Sequence, residues 1–358
     1  MRLRSILTAL PVAGVLALAG CIHFVRPVPR TGCASQVDPR AREIAFVASP
    51  TSEPTAIFGV AADGTGLTRL YAPSFVQIDW APDASRIVFT AQADTGGVLV
   101  QTIAPDGSDL RTLPTLPNGT STRWSPDCSL IAFVVNSPGR TGVSVVRPDG
   151  SGLRSLIEVP DDVPSGEILD WSPDGRRIAV ELNDGAGGSD IVVVQADGSG
   201  SRVLTPEPGN DRVPQWSPDG RRIAFLSDRE GFAGLNVMNA DGSGVRHLAG
   251  NVGPSGGSYH WSPDGTRIVA PTRTVLRVVD VDAGTSTFLP DENGFTYHGP
   301  RWSPDGGRIA AIETRETSPG SGRYRSDLVV MVADGSGLRR LTESMSLNSV
   351  GPVRWRPR

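Results

Sequence analysis

The sequence predicts an all-β fold, a seven-bladed β-propeller built from four-stranded antiparallel blades. Three observations support this prediction. All seven tryptophans lie in one repeated motif, the copies are spaced about 45 residues apart, and Asp-Gly turns recur between short apolar segments. Four short strands in about 45 residues are typical of a propeller blade. The 42 glycines and 30 prolines among 358 residues also argue against a helix-rich fold, because both residues interrupt helices.

Residues 1–20 have the features of a secretory signal peptide. Arg2 and Arg4 form a basic start, residues 6–18 are mostly apolar, and small residues precede Cys21. The alternative is a membrane-spanning anchor, but this apolar run is shorter than the roughly 18 residues that a helix needs to cross a bilayer. We therefore expect residues 1–20 to be a cleaved export signal.

The four residues Leu-Ala-Gly-Cys at positions 18–21 resemble the lipobox of bacterial lipoproteins. The resemblance implies cleavage before Cys21 and acylation of that residue. The chain is then expected to be exported and lipid-anchored to a bacterial membrane, in the periplasm or at the cell surface. Residues 21–40 would form the lipidated tether, and residues 41–358 the propeller.

Two further cysteines are present, Cys33 and Cys128. Export would place both in an oxidising compartment, where a disulfide can persist. The sequence does not determine how far apart they lie, so they are expected to be either a bonded pair or two free thiols.

The repeated unit starts with a Trp-Ser-Pro-Asp motif. Its tryptophans are Trp80, Trp124, Trp171, Trp216, Trp261, Trp302 and Trp355. An apolar strand such as residues 222–226 follows the motif, then a second strand, an Asp-Gly turn and a short outer strand. Because one aromatic side chain recurs in every unit, we expect the tryptophans to pack between neighbouring blades. The aspartates of the motif are expected to cap their own turns.

The two ends of the repeat region predict how the ring closes. The first unit starts at residues 42–46 with the strand that normally follows the motif, and no tryptophan strand precedes it. The missing strand is at the other end, at residues 350–355. We therefore expect the C-terminal strand to pair with the N-terminal strands, which completes the seventh blade and removes exposed sheet edges.

The pattern Trp-Ser-Pro-Asp-Gly-x-x-Ile-Ala-Phe, followed by Asp-Gly-Ser-Gly, resembles the WD40-like repeat of TolB-like propellers. The resemblance extends over residues 42–355 and implies the propeller fold. TolB proteins have six blades and a separate N-terminal domain, whereas seven blades and a short tether are predicted here. The resemblance therefore implies the fold and not the particular partner of TolB.

The composition excludes several classes of function. All 34 basic residues are arginine, so a lysine Schiff base and a P-loop lysine are excluded. With 38 acidic residues the net charge is -4, and no basic stripe of the kind that nucleic-acid binding requires is present. We therefore expect no nucleic-acid partner.

The position immediately before each tryptophan varies from unit to unit, although the tryptophan does not. In chain order it holds Asp79, Arg123, Asp170, Gln215, His260, Arg301 and Arg354. We expect these residues to form a mixed-charge funnel at one mouth of an axial channel, where they contact a partner peptide or glycan. The alternative is a set of inter-blade ion pairs with no ligand.

Two histidines, His260 and His298, lie on neighbouring tryptophan strands. They could bind a divalent metal, as histidines do in some of the polysaccharide lyases with TolB-like propellers. The alternative is two polar channel residues without a metal, because no third ligand can be named. We expect the second case, with no metal and no cofactor.

These predictions combine into one expected function. The chain is expected to be a cell-envelope lipoprotein whose monomeric propeller binds an envelope protein or a cell-wall glycan without catalysing a reaction. The alternative is a metal-dependent polysaccharide lyase or hydrolase that uses the channel histidines.

Overall fold

The structure is a computed structural model, and its description covers most of the chain from residue 43 to residue 357. The described ranges are 43–50, 54–71, 77–93, 97–113, 119–137, 140–159, 165–183, 188–252, 259–272, 274–290, 295–318, 324–343, 345 and 347–357. The expected signal peptide, Cys21 and the tether fall outside them. Within the described ranges we find no helix with the length and hydropathy that crossing a bilayer requires.

In this part of the chain, 28 strands form seven four-stranded antiparallel sheets, and no helix occurs. Blade 1 contains β1 (Ile44–Pro50), β2 (Ala56–Val60), β3 (Thr68–Tyr71) and β28 (Leu347–Trp355). Blade 2 contains β4 (Ile78–Trp80), β5 (Ile87–Gln92), β6 (Val98–Ile103) and β7 (Arg111–Thr112). Blade 3 contains β8 (Gly119–Trp124), β9 (Ile131–Ser137), β10 (Arg140–Val146) and β11 (Arg154–Val159). The predicted fold class is confirmed.

The remaining blades repeat this order. Blade 4 contains β12 (Ser165–Trp171), β13 (Arg177–Asn183), β14 (Ser189–Gln195) and β15 (Ser201–Val203). Blade 5 contains β16 (Asp211–Trp216), β17 (Arg222–Ser227), β18 (Gly234–Asn239) and β19 (Arg246–Gly250). Blade 6 contains β20 (His260–Trp261), β21 (Arg267–Pro271), β22 (Leu276–Asp280) and β23 (Ser286–Phe288). Blade 7 contains β24 (Thr296–Trp302), β25 (Arg308–Glu316), β26 (Tyr324–Val332) and β27 (Arg339–Arg340).

The ring closes through the C-terminal strand. In blade 1 the strand order is β28-β1-β2-β3, and β28 pairs antiparallel with β1, from Ile44 opposite Trp355 to Pro50 opposite Leu347. The predicted closure is therefore confirmed. The paired strand extends to residue 347, three residues earlier than the sequence indicated.

The strands that end in tryptophan are the innermost of each blade. Around the ring β28 contacts β4, β4 contacts β8, β8 contacts β12, β12 contacts β16, β20 contacts β24, and β24 contacts β28. Blades 5 and 6 are joined here by side chains, because Gln215 Nε2 donates to the Tyr259 carbonyl at 2.7 Å. These inner strands surround the propeller axis, and every residue they carry is positioned relative to that axis.

The hydrophobic core consists of seven clusters that lie between neighbouring blades, and each contains one tryptophan. For example, Trp216 of blade 5 packs with Ile191 and Val193 of blade 4 and with Phe225 of its own blade. The seven indoles are 2–9% exposed. Since both faces of each blade are covered by other blades, the middle of the second strand is apolar and buried, as residues 223–226 of β17 show.

The turn after six of the seven tryptophans is held by its own aspartate. In six blades the backbone N–H two residues further on donates to this carboxylate, from Ser85 to Asp83, Ser129 to Asp127, Arg176 to Asp174, Arg221 to Asp219, Thr266 to Asp264 and Gly307 to Asp305, at 3.0 Å in each case. These are the caps that the sequence predicted.

Candidate functional site

The seven residues that precede the tryptophans lie on the seven innermost strands and form what we call the axial ring. In ring order they are Arg301, Arg354, Asp79, Arg123, Asp170, Gln215 and His260, on blades 7, 1, 2, 3, 4, 5 and 6. All seven side chains are half-buried. Each ring residue is two positions before the turn, so the ring lies close to one face of the propeller.

Three members of the ring act as hydrogen-bond acceptors between blades. The backbone N–H of the next blade's tryptophan donates to each of them, from Trp124 to Asp79 Oδ2 at 3.1 Å, from Trp216 to Asp170 Oδ2 at 2.8 Å and from Trp302 to His260 Nδ1 at 3.2 Å. Burial and the nearby Arg301 and Arg354 charges hold the pKa of His260 well below its ordinary value. The imidazole is therefore neutral near pH 7, as an accepting Nδ1 requires.

The three arginines of the ring share one conformation. In each, Nη1 donates to the carbonyl of the preceding residue, from Arg123 to Thr122 at 2.9 Å, from Arg301 to Pro300 at 3.0 Å and from Arg354 to Val353 at 3.0 Å. Arg301 Nη1 also donates to the Tyr259 carbonyl at 3.2 Å. Each guanidinium is thus fixed by one nitrogen.

Charged groups of the ring act on one another, both between neighbouring blades and across the axis. Arg354 Nε lies 3.6 Å from Asp79 Oδ1. Burial lowers the pKa of Arg301 to about 10, with a further contribution from Arg123 on blade 3 and opposing ones from Asp170 and Asp79. Burial likewise raises the pKa of Asp170 to about 6. The ring therefore concentrates three guanidinium groups and two carboxylates around the axis.

A second type of hydrogen bond, from an indole N–H to a backbone carbonyl, joins the inner strands. The sequence did not predict it. In three of the four cases where the ring residue is arginine or glutamine, its carbonyl accepts the next tryptophan's indole N–H, from Trp171 to Arg123 at 3.3 Å, from Trp261 to Gln215 at 3.3 Å and from Trp355 to Arg301 at 2.9 Å. After an aspartate or histidine, the indole nitrogens of Trp124, Trp216 and Trp302 are buried without a partner in the described residues. Trp80, which follows Arg354, also has none there.

The two histidines are placed differently. His260 belongs to the axial ring, whereas His298 is exposed on β24, and its Nε2 lies 3.3 Å from Thr296 Oγ1. Burial lowers the pKa of His298. Across the ranges given above, no group of three or more histidine, cysteine, aspartate or glutamate side chains is arranged to hold a metal ion.

Cys128 occupies the turn of blade 3, where most other blades have glycine, and it has a φ of +61°. It is disulfide-bonded. Cys21 and Cys33 lie outside the described residues, so the pairing of Cys33 with Cys128 stays a prediction.

Comparison with known proteins agrees with this architecture. Residues 168–318, which span blades 4 to 7, match the family model described as the TolB beta propeller domain. Over these residues the chain is a TolB-like β-propeller. A search of the curated proteins found no match to this chain.

Several solved structures have the same fold as this TolB-like propeller. TolB from Acinetobacter baumannii is 17% identical, with a TM-score of 0.54 and coverage of 88% of this chain and 82% of that one. An oligogalacturonate lyase in complex with manganese is 15% identical, with a TM-score of 0.60 and coverage of 84% and 85%. A prolyl endopeptidase is 12% identical, with a TM-score of 0.62 and coverage of 88% of this chain and 50% of that one. At these identities the likeness extends to the fold alone.

Proposed function

We propose that this protein is a non-catalytic binding module of the bacterial cell envelope, and that its axial ring captures an envelope protein or a cell-wall glycan. The observation that carries the proposal is the ring itself. Its seven positions meet at one axis, its side chains are half-buried, and its residues differ while the surrounding repeat stays the same. Repeat proteins commonly place binding residues on such variable positions of a uniform scaffold.

The hydrogen bonds within the ring support a division of roles. Asp79, Asp170 and His260 accept the backbone N–H of a neighbouring blade, which is a structural task. Among the residues that the structure describes, the three arginines bond only carbonyls through Nη1 and, in Arg354, an aspartate through Nε. The arginines are therefore the members of the ring that we propose to contact a partner.

The proposed location is based on residues outside the described ranges. We propose that residues 1–20 direct export, that Cys21 carries the lipid, and that residues 21–40 tether the propeller to a membrane of the envelope. The lipobox-like residues 18–21 support this proposal. Metabolic labelling with a radioactive fatty acid tests it, since Cys21→Ser should abolish the label while Cys33→Ser leaves it unchanged.

Charge reversal of two ring arginines tests the binding role. The variant carrying Arg301→Glu and Arg354→Glu should lose its crosslinked partner in intact envelopes, because two contacts of the partner would become repulsive. Partner identity is read by mass spectrometry of the crosslinked product. Arg202→Glu, on the exposed outer strand β15, is the matched control and should capture the partner as the wild type does.

Thermal unfolding of the same variants separates binding from stability. If the reversed variant keeps its partner but melts at a much lower temperature, the arginines have only a structural role and the proposal is wrong. A variant that folds like the wild type and captures nothing supports it.

The alternative function, a metal-dependent polysaccharide lyase or hydrolase, has one supporting observation, the shared fold with a manganese-bound oligogalacturonate lyase. Metal analysis of the purified protein discriminates between the two functions. A stoichiometric divalent ion that is lost when His260 and His298 are both replaced by alanine would favour the enzyme.

A further inference from the structure

We propose that the axial ring binds the C-terminal carboxylate of a peptide chain, with Arg301, Arg354 and Arg123 as the donors. This inference rests on the proposed binding function and specifies its ligand. Four features of the ring lead to it: its charge balance, arginine nitrogens and two side-chain oxygens that have no partner among the described residues, and the lack of phenylalanine, tyrosine and tryptophan among the seven ring residues.

The charges of the ring residues sum to one positive charge, which a ligand with one negative charge would neutralise. Arg123, Arg301 and Arg354 contribute three positive charges, while Asp79 and Asp170 contribute two negative ones. His260 and Gln215 are neutral. A ligand that brings a single carboxylate neutralises the ring, whereas a polyanion would leave an excess of negative charge close to two carboxylates that are already half-buried.

The arginines have donors left for this carboxylate. Nη1 of each is bonded to a carbonyl, and Arg354 Nε faces Asp79. In the described residues no protein acceptor bonds Nη2 of any of the three, and none of these nitrogens is among the buried atoms that lack a partner. Because Nη1 already fixes each guanidinium plane, the free nitrogens are pre-organised and lose little freedom on binding.

Arg301 and Arg354 are neighbours in the ring, on blades 7 and 1. Two guanidinium groups on adjacent strands can each donate to one oxygen of a carboxylate, and charge-assisted bonds of this kind are about twice as strong as neutral ones. Burial and the charges of Arg301 and Arg123 hold the pKa of Arg354 well below its ordinary value, and the negative charge of a bound carboxylate would offset the repulsion between these guanidinium groups.

A peptide also satisfies the acceptors on the other side of the ring. Asp170 uses Oδ2 for the Trp216 N–H, and Gln215 uses Nε2 for the Tyr259 carbonyl. Asp170 Oδ1 and Gln215 Oε1 have no protein donor in the described part of the chain. Backbone N–H groups, which precede the terminal carboxylate in every peptide, are suitable donors for both oxygens.

A saccharide fits the ring less well. Sugar rings commonly stack on exposed aromatic side chains in their binding sites. Here the seven tryptophans next to the ring are 2–9% exposed, and Tyr259 is fully buried. None of the seven ring residues is phenylalanine, tyrosine or tryptophan, and the imidazole of His260 is bonded to the Trp302 N–H. The site therefore offers charged groups and hydrogen bonds but no exposed aromatic surface for stacking. These features suit a peptide terminus better than a sugar ring.

The test uses calorimetric titration of the purified chain with three probes: N-acetyl-tetraalanine as the free acid, the same peptide as its C-terminal amide, and trigalacturonate. We expect the free acid to bind at least about tenfold more tightly than the amide, because the amide loses the charge-assisted bonds. Replacing Arg301 and Arg354 by glutamine should remove this difference. Arg202→Gln, on the exposed strand β15, is the matched control and should keep it.

The comparison of acid with amide is made on the wild-type protein, so it stays informative if the arginine variant does not fold. Equal binding of acid and amide, or no binding of the acid at millimolar concentration, overturns the inference. Tighter binding of trigalacturonate than of the acid, with loss in the arginine variant, assigns the ring to an acidic saccharide instead. If charge reversal still abolishes capture in the envelope, the binding function stands and only this ligand assignment fails.

Discussion

Two features of Asp170 act in opposite directions on its ionisation. A hydrogen bond favours the charged carboxylate, and burial favours the protonated carboxyl. Its Oδ2 accepts the Trp216 N–H at 2.8 Å and so joins blade 4 to blade 5. Its burial raises the pKa from 3.8 to about 6, although Arg123 and the hydrogen bond favour the charged form. Folding therefore favours the protonated carboxyl. The stability linked to that proton is complete below about pH 4 and is lost as the pH rises through 6.

Replacing Asp170 by asparagine tests this linkage. Asparagine keeps an oxygen for the Trp216 N–H and removes the titration. We expect the unfolding free energy of the variant, relative to the wild type, to rise by up to about 3 kcal/mol between about pH 4 and about pH 7.5. Urea unfolding at the two pH values measures the change.

Asp174 of the same blade is the matched control. Burial opposes the shift, but hydrogen bonds from Ser172 and from the Arg176 N–H lower the pKa of Asp174. Asp174→Asn should therefore show the opposite trend, losing stability relative to the wild type as the pH rises. If the difference in unfolding free energy between Asp170→Asn and the wild type does not change with pH, the linkage is wrong.

The sequence predicted which residues surround the propeller axis. It did not predict what their side chains do. Asp83 and its counterparts were assigned to turn caps because the cap lies within two residues of the aspartate, a purely local arrangement. The roles of Asp79 and Asp170 depend on a backbone N–H some 45 residues away, in the next blade. No pattern within one repeat specifies how neighbouring blades are oriented, so the acceptor role could not be predicted.

The Asp-Gly turns differ in how closely the neighbouring blade approaches them. Gly64 of blade 1 and Gly335 of blade 7 occupy the same turn position, and both have a φ of +88°. A Cβ at Gly64 would meet only Leu341 Cδ2, at 3.5 Å. A Cβ at Gly335 would overlap Pro290 Cδ and lie 3.0 Å from Leu289 Cβ, both on blade 6. The blades approach each other more closely at the second turn.

Alanine at these two positions separates backbone strain from inter-blade packing. Both variants incur the same left-handed backbone penalty, of about 1–2 kcal/mol. Gly335→Ala should be destabilised by about 1–3 kcal/mol more than Gly64→Ala, because Pro290 must move. Chemical denaturation of the two variants gives the difference. Equal losses would show that the neighbouring blade adapts without a penalty.

The inner strands also contain irregularities that the alternating pattern did not indicate. The register of β16 shifts between Arg212 and Gln215, and Val213 has a φ of +57°, which is rare for a β-branched residue. Its N–H donates to Glu181 Oε2 at 3.2 Å, and its carbonyl accepts the Tyr259 hydroxyl at 2.5 Å. Partners on blades 4 and 6 hold this conformation, so it could not be predicted from the strand's own residues.

For the whole molecule, closure by β28 should decide whether the protein folds. Its side chains Leu347, Val350, Val353 and Trp355 are at most 9% exposed. At about 1.5–3 kcal/mol for each buried apolar side chain, their removal approaches the total stability of about 5–15 kcal/mol of a typical domain. Deleting residues 346–358 should therefore abolish cooperative thermal unfolding, followed by circular dichroism.

Deleting only residues 357–358 is the control and should leave the transition close to that of the wild type. A sharp transition at the wild-type temperature in the longer deletion would show that six blades and an incomplete seventh are sufficient. The number of blades and this closure were both predictable, because the period of the tryptophan motif and the two incomplete end units are visible in the sequence itself.

Ile44 and Trp355 pair although 311 positions separate them along the chain. Contacts between residues so far apart in sequence form late. The entropy lost on closing the intervening loop opposes them until most of the protein has folded. During that interval β1 presents unpaired amide and carbonyl groups to which strands of other molecules can add. The nascent protein should thus depend most on chaperones between the synthesis of β1 and the arrival of β28.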